Sequence, residues 1–232
     1  MAIALVQHVE YDDIGVAPLS VTTTATGAGN LLVVPVESLQ SAASVGIPTI
    51  SDNASGGSNV YILAPNTFVT QNVFGNSLQG AIFYCPNAKS ATVVTVTPAG
   101  DGSMLQGGIA VYEYSGTDPI SPLQDSDSAG NGSSSTFSPP DLTVDATDVI
   151  VIGATTDGAI HAIDAPYTDQ FIVEAGSGGI PIAWADYYPS ASGAGAVLHK
   201  DDTNYYVVQA AGFKQAPTSV SAKVKASTNL VF

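Results

Sequence analysis

With 232 residues, 45% of them hydrophobic and only 11% charged, the chain can bury a sizeable core and is neither a disordered polyampholyte nor a highly charged coiled coil. Twenty acidic residues face five lysines and no arginine, for a formal net charge of −15. So few cations supply no basic stripe for phosphates or for an anionic bilayer, so neither nucleic acid nor membrane is expected as a partner.

The opening MAIALVQHVEYDD has no basic start, and its apolar run ends at Val6, so no signal peptide is expected. The pattern thereafter is short β-prone runs cut by Gly, Asn, Asp, Ser and Pro, with hardly any helical periodicity. In chain order, strands are expected at Ile3–Val9, Leu19–Ala25, Asn30–Val36, Val60–Ala64, Ala81–Tyr84, Thr92–Thr97, Gly108–Tyr114, Asp148–Ala154, Gln170–Glu174, Ile182–Tyr188, Ala196–His199 and Asn204–Ala211. Twelve strands favour two packed sheets over one open sheet.

Leu19–Ala25 and Thr92–Thr97 interleave apolar residues with Ser or Thr, the sign of a strand with one wet face. Leu31–Val34 and Val149–Ile152 are apolar without alternation and are expected to be covered on both faces. The stretch DSDSAGNGSSSTFS, from Asp125 to Ser138, is too rich in Gly and Ser to offset its ordering entropy by burial, and is expected as an exposed loop within one domain. The lone Cys85 forms no intramolecular disulfide, so stability rests on packing, as suits folding in a reducing cytoplasm.

The C-terminus reverses the charge. Residues 1–212 hold two lysines against twenty acids, −18, whereas the rest holds Lys214, Lys223 and Lys225 and no acid. Val220, Ala222, Val224 and Ala226 alternate with Ser221, Lys223, Lys225 and Ser227, a strand with an apolar and a basic side. The reading is therefore a β-sandwich domain over 1–213 and a tail over 214–232. The tail either adds to a neighbouring subunit's sheet, with Lys214, Val220, Ala222, Lys223, Val224 and Lys225 at the contact, or closes as a last strand on its own domain.

Signals for chemistry are weak. His8, His161 and His199 sit in contexts that suggest no nucleophile–base set, and no G-x-S-x-G, H-E-x-x-H or phosphate loop is present, so no enzyme and no cofactor are expected. Of the four glutamates, Glu113 lies on a strand beside aromatics and reads as solvent-facing. Asp125, Asp127 and Asn131 have the oxygen ligands of a calcium loop but lack its bidentate Glu, so the expectation is an unoccupied acidic loop. Tyr112, Tyr114, Trp184 and Tyr187 are candidates for an exposed ligand platform, with core packing as the alternative for about half of such aromatics.

The order of segments resembles a β-sandwich domain recurrent in tailed-bacteriophage structural proteins and related bacterial surface proteins. The residues that carry it are Ala-Gly-Asn-Leu-Leu-Val-Val at 28–34, Ser51-Asp52-Asn53, a strand ending in Tyr84, Val-Tyr-Glu-Tyr-Ser-Gly at 111–116, Pro122-Leu123, and Thr147-Asp148-Val149-Ile150-Val151, over about residues 18 to 213. Where family members carry a Trp after the Asp-Asn turn, this chain has the Gly/Ser-rich Ala54–Asn59. The resemblance implies a jelly-roll-like, two-sheet antiparallel sandwich in a virion assembled in the host cytoplasm. Its role is expected to be capsid decoration (cement), bound to the major capsid protein and to neighbouring subunits as a homo-oligomer. A tail or fibre component is the nearest variant, and a lectin-like carbohydrate-binding module the rival from another class.

Overall fold

The computed structural model describes residues 2–15, 17–41, 46–99, 104–139, 141–158, 160–163, 168–173, 180–189 and 198–217. The fold is all-β. Fifteen strands form among the described residues, and every pair is antiparallel.

The first half of the chain makes two sheets. The strands are β1 (Ala4–Ile14), β2 (Leu19–Thr22), β3 (Leu31–Gln40), β4 (Gly46–Asp52), β5 (Ile62–Leu63), β6 (Val69–Val73), β7 (Asn76–Cys85), β8 (Val93–Ala99) and β9 (Met104–Ser115). A central sheet runs β1-β9-β3-β7-β5, with β6 also on β7, and a small sheet runs β2-β8-β4. The second half makes the C-terminal sheet from β10 (Leu123–Phe137), β11 (Val149–Thr156), β12 (Ile160–Ile163), β13 (Thr168–Val173), β14 (Ile182–Tyr187) and β15 (Leu198–Phe213). Its order is β10-β15-β11-β14-β13, with β12 on β15.

The antiparallel sandwich expected from the residues holds, but it has three layers rather than two. One core lies between the central and C-terminal sheets and includes Leu31, Val33, Tyr112, Tyr114, Val151, Trp184 and Phe213. A second lies between the central and small sheets and includes Leu19, Val21, Val34, Val36, Val94 and Val96. The far side of the C-terminal sheet is also sealed, where Phe137, Leu142, Val144 and Ile160 cover Ile150 and Ile152. β3 and β11 therefore have both faces buried, as their unbroken apolar runs predict. β2 buries Leu19 and Val21 and exposes Ser20 and Thr22, the period of a half-wet strand.

The Gly/Ser-rich stretch is the main departure. Instead of an exposed loop it is β10, paired along β15 from Leu123 to Phe137. Ladder hydrogen bonds and small side chains replace apolar burial as the source of order. Ser126 Oγ donates to the Pro65 carbonyl at 2.7 Å and Ser128 Oγ to that of Asn66 at 2.5 Å. A side chain at Gly130 would press on Val69.

Candidate functional site

The proposed aromatic platform does not exist at three of its four positions. Tyr112, Tyr114 and Trp184 are fully buried. From Gly108 onward the even-numbered residues of β9 point into the core shared with the C-terminal sheet, so Tyr112 and Tyr114 stack there with centroids 6.2 Å apart. Tyr114 Oη donates to Asp186 Oδ2 at 2.8 Å, and burial first, then Asp186, pushes its pKa well up. Tyr187 is half-buried against the outer core. Two aromatics two residues apart on a strand share one face, and only the packing partner shows whether that face is wet.

Glu113 is also inward, contrary to the solvent-facing reading. It takes hydrogen bonds from the Gly27 amide at 2.6 Å, Asn30 Nδ2 at 2.5 Å and Gln7 Nε2 at 2.5 Å. The loop before β3 folds over it, a long-range contact that strand alternation does not reveal.

The residues expected as an acidic loop lie on β10 instead. Asp125 accepts the Ser126 amide at 2.9 Å and the Thr143 amide at 2.7 Å, while Asp127 accepts that of Ser128 at 2.8 Å. Asn131 pairs with Tyr206 in the ladder. Among the described residues no group of three His, Cys, Asp or Glu is arranged to hold a metal. His161 and His199 stand on β12 and β15. Lys214 is partly exposed, and its backbone joins Pro122 and Asp118. Val220, Ala222, Lys223, Val224 and Lys225 lie outside the described residues.

The conspicuous surface feature is the free side of β1. Among the described residues β1 pairs only with β9, and β2 only with β8. An open groove runs between these two edges, lined by His8, Val9, Glu10, Tyr11, Ser20, Val21 and Thr22. Gln7 closes one end by bonding the Thr24 amide at 3.1 Å and carbonyl at 3.2 Å. His8 stacks on Tyr112 at 4.2 Å and lies 3.4 Å from Glu10. Partial burial raises the pKa of Glu10, and burial plus the charge of Asp13 raises that of Asp12. Asp13 is held low by the Tyr11 hydroxyl at 2.6 Å and the Ile14 amide at 2.7 Å.

Apolar side chains also protrude at turns. Phe74 is 89% exposed at the tip of the β6–β7 hairpin, with φ 51° followed by Gly75 at φ 87°. Two successive positive φ values make the two-residue turn that favours Asn-Gly. A Phe at its first position is strained by about 1–2 kcal/mol. Ile120, in the turn after β9, is equally exposed at 89%.

Sequence reasoning missed one buried site. Glu37 on β3 and Gln209 on β15 are fully buried between the central and C-terminal sheets, and Gln209 Nε2 donates to Glu37 Oε1. A Cβ at Gly80 or Gly153 would overlap this pair, so both glycines make room for it. Burial pushes the Glu37 carboxyl well above its ordinary value of 4.5.

No protein-family model matches the chain, and no curated protein matches its sequence.

Proposed function

We propose that this protein is a virion structural component, a capsid decoration (cement) protein that binds the major capsid protein and stabilises the shell through protein–protein contacts. The observation that carries this reading is Phe74. Apart from one edge-on ring contact with Tyr205, this strained aromatic stands in solvent, and a backbone held off its preferred conformation argues for a function at that spot. Aromatic anchors that fill a partner's pocket dominate many interfaces. On a particle with many equivalent sites, individually weak anchors suffice, and the acidic body keeps such a chain soluble at high local concentration.

The reading assigns no catalytic role, and the interior packing of Tyr112, Tyr114 and Trp184 takes three of four residues out of the platform that a sugar-binding module was expected to use. A tail or fibre component is the nearest variant, and would follow if the chain sediments with isolated tails instead of heads. The test is co-sedimentation of the purified chain with mature particles assembled without it. Wild type is expected to attach and to raise the temperature at which particles release their genome. Phe74→Asn is expected to keep the fold and weaken attachment at least tenfold. Failure of wild type to sediment with heads or tails would overturn the proposal.

A further inference from the structure

From the free edge of β1 and the composition of the tail, we infer that β1 receives the basic C-terminal strand of a second copy of this chain, as an added antiparallel strand. The inference does not rest on the decoration reading, since it concerns contacts between copies.

Three observations converge on the occupant. First, the acceptor is a pair of neighbouring edges, β1 and β2, that are unpaired among the described residues, with a groove between them. An exposed strand edge presents unpaired N–H and C=O groups that a further strand satisfies. After the irregularity between Leu5 and Gln7, β1 is regular from Gln7 to Ile14, long enough for a seven-residue partner.

Second, the chemistry is complementary row by row. On β1 the even row carries Glu10 and Asp12, while the odd row carries Val9 and Tyr11. In the tail Lys223 and Lys225 form one row, and Ala222, Val224 and Ala226 the other. Directly opposed residues of an antiparallel pair share a face. Setting Lys225 opposite Glu10 therefore sets Lys223 opposite Asp12, and places Val224 beside Tyr11 and Ala226 beside Val9. The raised pKa values of Glu10 and Asp12 are those of carboxylates that lose solvent without gaining a cation. Among the described residues, the one ion-pair contact made by either is His8 with Glu10, and the further charge acting on Asp12 is the like charge of Asp13.

Third, the path of the chain assigns the strand to another copy. The described chain ends at Pro217, just after the Ala216 amide donates to Gly116 O at 2.9 Å, and Gly116 packs against Ala2 at the start of β1. An antiparallel partner must enter from the far end, about 36 Å away for an 11-residue strand. Val220 follows Pro217 by three residues, a reach of at most about 11 Å. Every described strand pair is antiparallel, so a parallel pairing within one copy would be out of character with the fold.

The full chain, measured alone by light scattering across concentration, is expected to self-associate, and more weakly as salt rises. Charge reversal on either side, Glu10→Lys with Asp12→Lys or Lys223→Glu with Lys225→Glu, is expected to weaken association at least tenfold. Combining all four is expected to restore it to within about threefold, a recovery that a folding defect would not produce. Val224→Pro, which removes a ladder donor and leaves the body untouched, is expected to give monomers. A wild-type chain that stays monomeric, a Val224→Pro chain that associates normally, or the four-fold charge swap failing to recover would overturn the inference. So would a disulfide between Asp12→Cys and Lys223→Cys that forms within single copies rather than between them. A chain that self-associates but ignores particles would instead sink only the decoration reading.

Discussion

Glu113 and Glu37 sit on opposite faces of the same central sheet, both without solvent exposure, and the surroundings treat them differently. On the side of the small sheet, three donors converge on Glu113 from β1 and from the loop before β3. On the side of the C-terminal sheet, Glu37 Oε1 accepts from Gln209 while Glu37 Oε2 and Gln209 Oε1 have no partner among the described residues. Those two atoms are complementary: a proton on Oε2 makes the donor that the amide oxygen lacks, and both lie beside the space left by Gly80. The lesson is that a buried carboxyl is stabilised either by donors from the backbone and side chains or by keeping its own proton.

The largest expected effect tests the first arrangement. Glu113→Ala leaves the Gly27 amide, Asn30 and Gln7 without their acceptor, and should destabilise the fold by about 3 kcal/mol, read as a lower denaturant midpoint. Next, Gly153→Ala would drive a Cβ into Glu37 and Gln209 between the sheets, and should cost about 2 kcal/mol. A loss as large from Gly75→Ala, where the surroundings are open, would show that backbone conformation rather than space governs such sites.

The comparison is sharpened by pH. Because its folded-state pKa is raised, Glu37 contributes fully below its ordinary value of 4.5. As pH rises from there through the folded value, the unfolded chain releases the proton while the fold retains it, and stability falls by about 1.4 kcal/mol per pH unit for this one group. Glu37→Gln supplies the missing donor without a titrating proton. It should match wild type near pH 4 and flatten the decline above it, as followed by urea unfolding between pH 4 and 8. An unchanged slope would mean that Glu37 is ionised in the fold. The smallest effect lies at the surface, where Phe74→Asn relieves the positive-φ strain and should stabilise by about 1 kcal/mol. A loss of stability there would show that the ring contact with Tyr205, at 6.2 Å, matters to the fold.

The strand-rich sandwich, the doubly covered β3 and β11 and the half-wet β2 were legible in the sequence, because period-2 alternation and unbroken apolar runs report directly how many faces of a strand are dry. So was the charge contrast between body and tail, a matter of counting. The third layer, the strand made from DSDSAGNGSSSTF, the cover over Glu113 and the Glu37–Gln209 pair were decided only by tertiary structure. Alternation shows that two residues share a face, but what covers that face comes from partners 83 and 172 residues away along the chain. Ser and Gly carry little preference of their own, so a neighbouring strand's free hydrogen-bonding groups and two hydroxyl contacts set their conformation, and neither is local information.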